Sequence, residues 1–143
     1  MERKKWLLIV LAMGDSLSPV QLQKSLFLIS KEIPDIKQDD FYQFNPYDYG
    51  PFDAAIYSDA LALATEELAI IENPIERGWR RYRITDTGRE EAEKLMSTLP
   101  KPKLDQTRDI VALVKSLSFS GLVRKIYEKY PVYRVNSVFQ SEG

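Results

Sequence analysis

The chain predicts an α+β fold, mostly α: a winged helix-turn-helix with additional C-terminal helices. Three observations predict it. The phrase "LSPVQLQ" opens a second helix soon after an apolar first one. An aromatic stretch ending in Gly50 and Pro51 leads into a third. Two strand-like runs, "LAIIEN" and "RRYRIT", flank a loop containing Gly78, which is the pattern of an antiparallel hairpin, or wing. A length of 143 residues suits one domain with a real core. Residues 1–99 form the winged-helix domain. Residues 104–143 form a C-terminal helical extension packed on it, giving a single structural domain.

Residues 2–13 carry the apolar body "WLLIVLAM" and read as a buried helix that "GDSLS" breaks. Ser18 is placed as N-cap of the next, with Pro19 at its first position and Gln21 completing a capping box. Leu22, Leu26, Ile29 and Ile33 recur at helical spacing, and Pro34 ends the helix. After the acidic turn "DIKQDD" a short strand is expected near Phe41–Phe44. Gly50 and Pro51 then open the third helix, with Gly50 or Asp53 as its cap, and it ends near Glu67. Ile56, Ala60, Leu63 and Leu68 supply its apolar face.

The wing strands are expected near residues 69–73 and 80–85, with Arg81 and Arg83 on one face and Tyr82 and Ile84 on the other. Thr85 or Asp86 caps a fourth helix, and "PKPK" reads as a linker. Two more helices follow, at about 105–117 and 119–129, and Pro131 stops the last. In it Leu122, Ile126 and Tyr130, widened by Val123 and Tyr127, form an apolar stripe. That stripe must be buried. The favoured cover is the first helix, with Tyr133, Val135, Val138 and Phe139 wrapping back and Asn136 satisfying backbone at the bend. The alternative is a second subunit, making a homodimer.

Composition narrows the function classes. There is no cysteine and no histidine, which removes disulfides, thiolate chemistry, the commonest general base and the commonest metal ligand. The apolar run near the start follows "MERKK" as in a signal peptide, but no small-residue cleavage site follows it. It also falls well short of the roughly 20 residues that span a bilayer. The expectation is a cytoplasmic protein without a membrane partner. The net charge of −1 conceals an asymmetry: residues 1–33 carry +2, residues 34–72 carry −8 and residues 73–143 carry +5.

That asymmetry bears on nucleic acid. The third helix, "FDAAIYSDALALATEEL", has no Arg, Lys, Asn or Gln with which to read base edges, and it carries four carboxylates. The wing differs: Arg77, Arg80, Arg81 and Arg83 stand beside Trp79 and Tyr82, a candidate nucleic-acid surface. Against this stands a solvated hairpin whose arginines pair with the acidic middle. A second candidate lies in "FNPYDYGPFDAAIY", where Tyr47, Asp48, Tyr49 and Asp53 would meet a ligand or protein partner. Its counter-reading packs Tyr47, Tyr49 and Phe52 as core beneath the Gly-Pro turn. No phosphate loop, dinucleotide fingerprint or nucleophile elbow is present, so neither catalytic residues nor a cofactor are expected. The pairs Asp39–Asp40 and Asp48–Asp53 read as solvated carboxylates, not as a metal site.

Three stretches, "LQKSLFLIS", "FNPYDYGPFDAAIYSDALALATEEL" and "IYEKYPVYRVNS", make up about a third of the chain. In them the chain resembles the uncharacterised YwgA-like proteins and, more distantly, the Panacea/SocA-like antitoxin domains. The phrase "YRITDTGREEAEKL", a wing strand running through Thr and Gly into a charged helix, is similar to winged-helix regulators. The resemblance supports the winged-helix scaffold. With the residues above it leads to a non-enzymatic regulatory or adaptor protein, antitoxin-like or transcription-associated, acting on a protein partner. The alternative is a DNA-binding transcriptional regulator that contacts phosphates through its arginine-rich wing.

Overall fold

The computed structural model describes residues 1–73 and 80–139. They form an α+β chain, mostly helical, with six helices and two small antiparallel sheets among the described residues. Helix α1 (Arg3–Gly14) is the centre, with every residue from Trp6 to Ala12 buried. A helix apolar nearly all round needs cover on all sides, and the later helices supply it.

Helix α2 (Pro19–Glu32) starts as its sequence predicts. Ser18 Oγ accepts from Gln21 N at 3.2 Å, and Gln21 Oε1 accepts from Ser18 N at 2.9 Å, closing the capping box. Between α1 and α2 lies a strand that the sequence did not announce, β1 (Ser16–Leu17). Two residues are too few for alternation to show. Strands β4 (Ala69–Glu72) and β5 (Arg81–Ile84) pair antiparallel, Ala69 opposite Ile84 and Glu72 opposite Arg81. β1 adds to the other side of β5, giving the order β1-β5-β4. Tyr82 and Ile84 are buried while Arg83 faces out, the expected alternation. Arg77, Gly78 and Trp79 lie outside the described residues.

The expected strand at 41–44 is absent. Phe41 and Tyr42 are buried individually, and the Tyr42 hydroxyl donates to Asp59 at 2.7 Å. The strands come later, as a hairpin of β2 (Asn45–Tyr47) and β3 (Gly50–Phe52) turning at Asp48–Tyr49. Pro46 sits opposite Pro51, and prolines inside a run argue against strand when only sequence is read. Helix α3 therefore runs Ala55–Thr65 and does not open at Gly50. Of the two proposed caps, Asp53 stands at the helix start, its Oδ1 accepting from Ala55 N at 2.8 Å.

Gly50 has φ +103°, a conformation closed to side chains with a branched β-carbon. A Cβ there would also lie 3.2 Å from Tyr127 Cε1. Gly50→Val should cost about 2–3 kcal/mol, the scale of one strained backbone site. A melting temperature equal to that of the unaltered protein would refute this.

Thr85 caps α4 (Asp86–Met96), its Oγ1 accepting from Gly88 N at 2.9 Å. "PKPK" is not a linker. Helix α5 (Lys101–Ser116) begins within it, because Pro102 falls in the first turn, where a missing N–H costs nothing. α1 packs against α2, α3, α4, α5 and β5, which completes its cover. Helix α6 (Phe119–Lys129) buries Leu122, Val123, Ile126 and Tyr127 within the chain, but α5, not α6, is the C-terminal helix laid on α1. α6 packs on β3 and on a 3-10 turn at Pro131–Arg134. Tyr130 turns its ring to Phe27 of α2 at 5.1 Å and donates to Glu32 at 3.1 Å. Tyr133 is buried against Phe27 and Phe139 packs on Tyr127 and Phe119, while Val135 and Val138 remain exposed. No helix among the described residues is long and apolar enough to cross a membrane.

Candidate functional site

The β2–β3 hairpin is clamped from both sides. On one side α2 holds its outgoing strand: Lys24 Nζ donates to the Pro51 carbonyl at 2.9 Å. Gln23 Nε2 donates to the Asp53 carbonyl at 2.9 Å, and Asp53 N donates back to Gln23 Oε1 at 3.0 Å. On the other side the tail holds the turn. Ser137 Oγ and Val138 N both donate to the Asp48 carbonyl, and Asn136 Nδ2 donates to that of Pro46. The three sequence stretches that carry the resemblance thus meet in space.

Between α2, the hairpin and the start of α3 lies a cleft of about 180 Å³, lined by Val20, Lys24, Tyr47, Tyr49, Phe52 and Tyr57, with Asp48 the one carboxylate among its walls. Tyr47 and Tyr49 are 53% and 43% exposed, so neither is core; Phe52 alone of the three is half-buried. Tyr47 stacks on Phe52 at 4.9 Å, Phe52 tilts against Tyr57 at 5.9 Å, and Tyr57 stacks on Tyr82 of β5 at 6.0 Å. A continuous run of rings joins the hairpin to the three-stranded sheet. Tyr49 meets Phe119 of α6 edge-on at 5.1 Å. Asp53 is not part of this surface. Its carboxylate accepts from Gln43 N and Ala55 N, which fixes the entry to α3.

The residue that sequence reasoning missed is Lys24. It is 3% exposed, and burial pulls its amine down to about 7 from the ordinary 10.5. Among the described residues it has no carboxylate partner and one hydrogen bond, to Pro51. Two residues from both Leu22 and Leu26, it would face water on a helix buried along one stripe. Only cover on every side of α2 puts it inside.

The sign of its effect on stability follows from the direction of the shift. A folded amine that titrates below its unfolded value costs stability in full below about pH 7 and costs nothing above about 10.5. An amine held at about 7 in place of 10.5 costs on the order of 5 kcal/mol. Lys24→Met removes that cost and leaves the Pro51 carbonyl unpaired, a loss of about 1–3 kcal/mol. The variant should therefore melt higher than the unaltered protein at pH 6, and its advantage should fade as the pH is raised towards 10. Melting curves across that range check it. A lower melting temperature at every pH would mean that the amine is stabilising.

The described arginines of β5 and the residue before it make local contacts. Arg81 donates to Ser16 Oγ at 3.1 Å and to the Ser16 carbonyl at 3.0 Å, tying β1 to β5. Arg80 donates to Asn73 at 3.0 Å. Arg83 meets Glu72 at 3.5 Å, an exposed pair worth at most about 1 kcal/mol. The rest of the acidic middle is met from elsewhere: Arg3 pairs with Asp59 at 3.1 Å and Lys4 with Glu66 at 3.2 Å. On α3 and the residue before it, Ala54, Ser58, Leu61 and Thr65 face outward, with Leu61 61% exposed.

The chain matches no family model, no curated protein and no solved structure. Its function is therefore read from these residues.

Proposed function

We propose that this is a non-enzymatic regulatory or adaptor protein on a winged-helix scaffold, antitoxin-like or transcription-associated, that acts through protein contacts. The order β1-β5-β4, with β1 between the first two helices, supports the scaffold: it ties the helices and the hairpin into one unit. The resemblance to YwgA-like proteins supports it from the side of sequence. One observation carries the mode of action. The outward face of α3, the element that would enter a major groove, offers Leu61, small residues and no cation. Such a face suits an apolar protein surface and gains nothing from phosphates.

The second reading, phosphate contact through the wing, is favoured by the exposure of Arg80 and Arg83 on the hairpin. Random duplex DNA at low salt, then titrated with salt, separates the two. The leading reading expects no binding that survives physiological salt. If binding does survive, Arg80→Ala with Arg83→Ala should weaken it for all sequences. The slope of log affinity against log salt should then flatten by nearly one for each arginine replaced. Arg81 is left in place because it holds β1. In that case Ser58→Ala should leave base preference unchanged, and a changed preference would make α3 the reading helix.

A further inference from the structure

We propose that the cleft between α2 and the β2–β3 hairpin binds a small carboxylic acid with an apolar body, its carboxylate bonded to Lys24 Nζ and its body laid on Val20, Phe52 and Tyr57. This goes beyond the regulatory reading and does not depend on it.

The argument starts from an unmet charge. An ammonium has three donors, and Lys24 uses one, on the Pro51 carbonyl. A buried lysine without a counter-ion is costly, and such costs persist where a ligand supplies the missing partner. Lys24 is also one of the walls of the cleft. Its Nζ lies 3.7 Å from where a Cβ on Gly50 would stand, and Lys24 and Gly50 both line the cleft.

The size and walls choose the ligand. About 180 Å³ holds a group of single-ring size, since a water molecule occupies roughly 30 Å³. A nucleotide or a folded segment is too large. One lysine, no arginine and walls of tyrosine and phenylalanine suit a monovalent carboxylate on an apolar frame better than a phosphate, which draws clustered cations. The groups around Lys24 that titrate or carry charge are Tyr47, Asp48 and Tyr49 of the hairpin, Asp53 after it, Tyr57 of α3 and Tyr127 of α6. Burial raises Tyr57, Asp53 is held by two backbone N–H groups, and Asp48 is half-exposed. Burial brings the Lys24 ammonium to a midpoint near 7, so acid binding should be tightest below it and weaken about tenfold per pH unit above it.

The test uses the intact chain and NMR, with phenylacetate, its neutral isostere phenylacetamide and tetramethylammonium as probes. The proposal expects saturable shifts at Lys24, Gly50 and Tyr57 with phenylacetate, and at least tenfold weaker binding of the amide. It also expects no response to phenylacetate in Lys24→Met. If that variant does not fold, the unaltered chain decides alone: saturation with phenylacetate must raise the Lys24 midpoint. No saturable response to phenylacetate, equal binding of the amide, or preference for tetramethylammonium, which four rings and Asp48 would cage, overturns it.

Discussion

Gly88→Ala should lower the melting temperature sharply, although alanine is the better helix former by about 1 kcal/mol. A Cβ on Gly88 would stand 2.0 Å from the Leu68 carbonyl oxygen and 2.8 Å from Ile84 Cδ1. The first of these atoms is backbone and cannot turn aside. Nor can the two segments separate freely, because Thr85 N donates to the Leu68 carbonyl at 3.2 Å and Thr85 Oγ1 to that of Glu67 at 2.8 Å. These bonds hold the start of α4 against the chain entering β4. Relief requires breaking the cap or shifting the three-stranded sheet. Overpacking against backbone reaches the upper end of its usual cost, about 3 kcal/mol, which is a fall of about 10 °C for a protein of this size. A thermal melt at or above that of the unaltered protein would show that α4 is free to move off β4.

Truncation after Lys101 should give an insoluble or molten product. It removes Ile110, Val111, Val114, Leu122, Val123, Ile126, Tyr127 and Tyr133, all buried. At about 1.5–3 kcal/mol per buried side chain the loss is about 12–24 kcal/mol, at least as large as the whole stability of an ordinary domain. It also orphans the ends of two central helices. Lys115 Nζ donates to the Gly14 carbonyl at 2.6 Å, and Gln106 Nε2 to the Glu32 carbonyl at 2.7 Å. Without α5 the last turns of α1 and α2 lose these partners. Solubility and near-ultraviolet circular dichroism check the outcome. A truncated chain that stays soluble and melts cooperatively, beside a dimeric full-length protein, would make α5 and α6 a dimerisation module.

What is legible in the sequence is local. Ser18 and Gln21 close their capping box, Thr85 caps α4, and Tyr82 and Ile84 turn inward, because each follows from neighbours a few residues away. Elements whose local signals conflict mislead. Pro46 and Pro51 hide a hairpin, and the prolines of "PKPK" hide a helix start. The stripe on α6 is plain, but what it covers is not: α5 takes α1 and α2, and α6 packs on β3 and the turn at Pro131–Arg134. The candidate site is half legible. Tyr47, Asp48 and Tyr49 stand out as an aromatic cluster, yet their exposure depends on the tail that pins the hairpin from about 90 residues away. Lys24 cannot be found from periodicity, because its burial is made by the hairpin and by the helices that enclose α2.

The cleft's chemistry rests on Lys24 being a buried amine without a counter-ion. Its titration, followed at the side-chain carbon and nitrogen by NMR in the intact, ligand-free chain, reads that condition directly. The midpoint should fall near 7. A midpoint at the ordinary lysine value of about 10.4 would mean a solvated or paired amine, and would contradict both the stability effect of Lys24→Met and the acid-binding cleft.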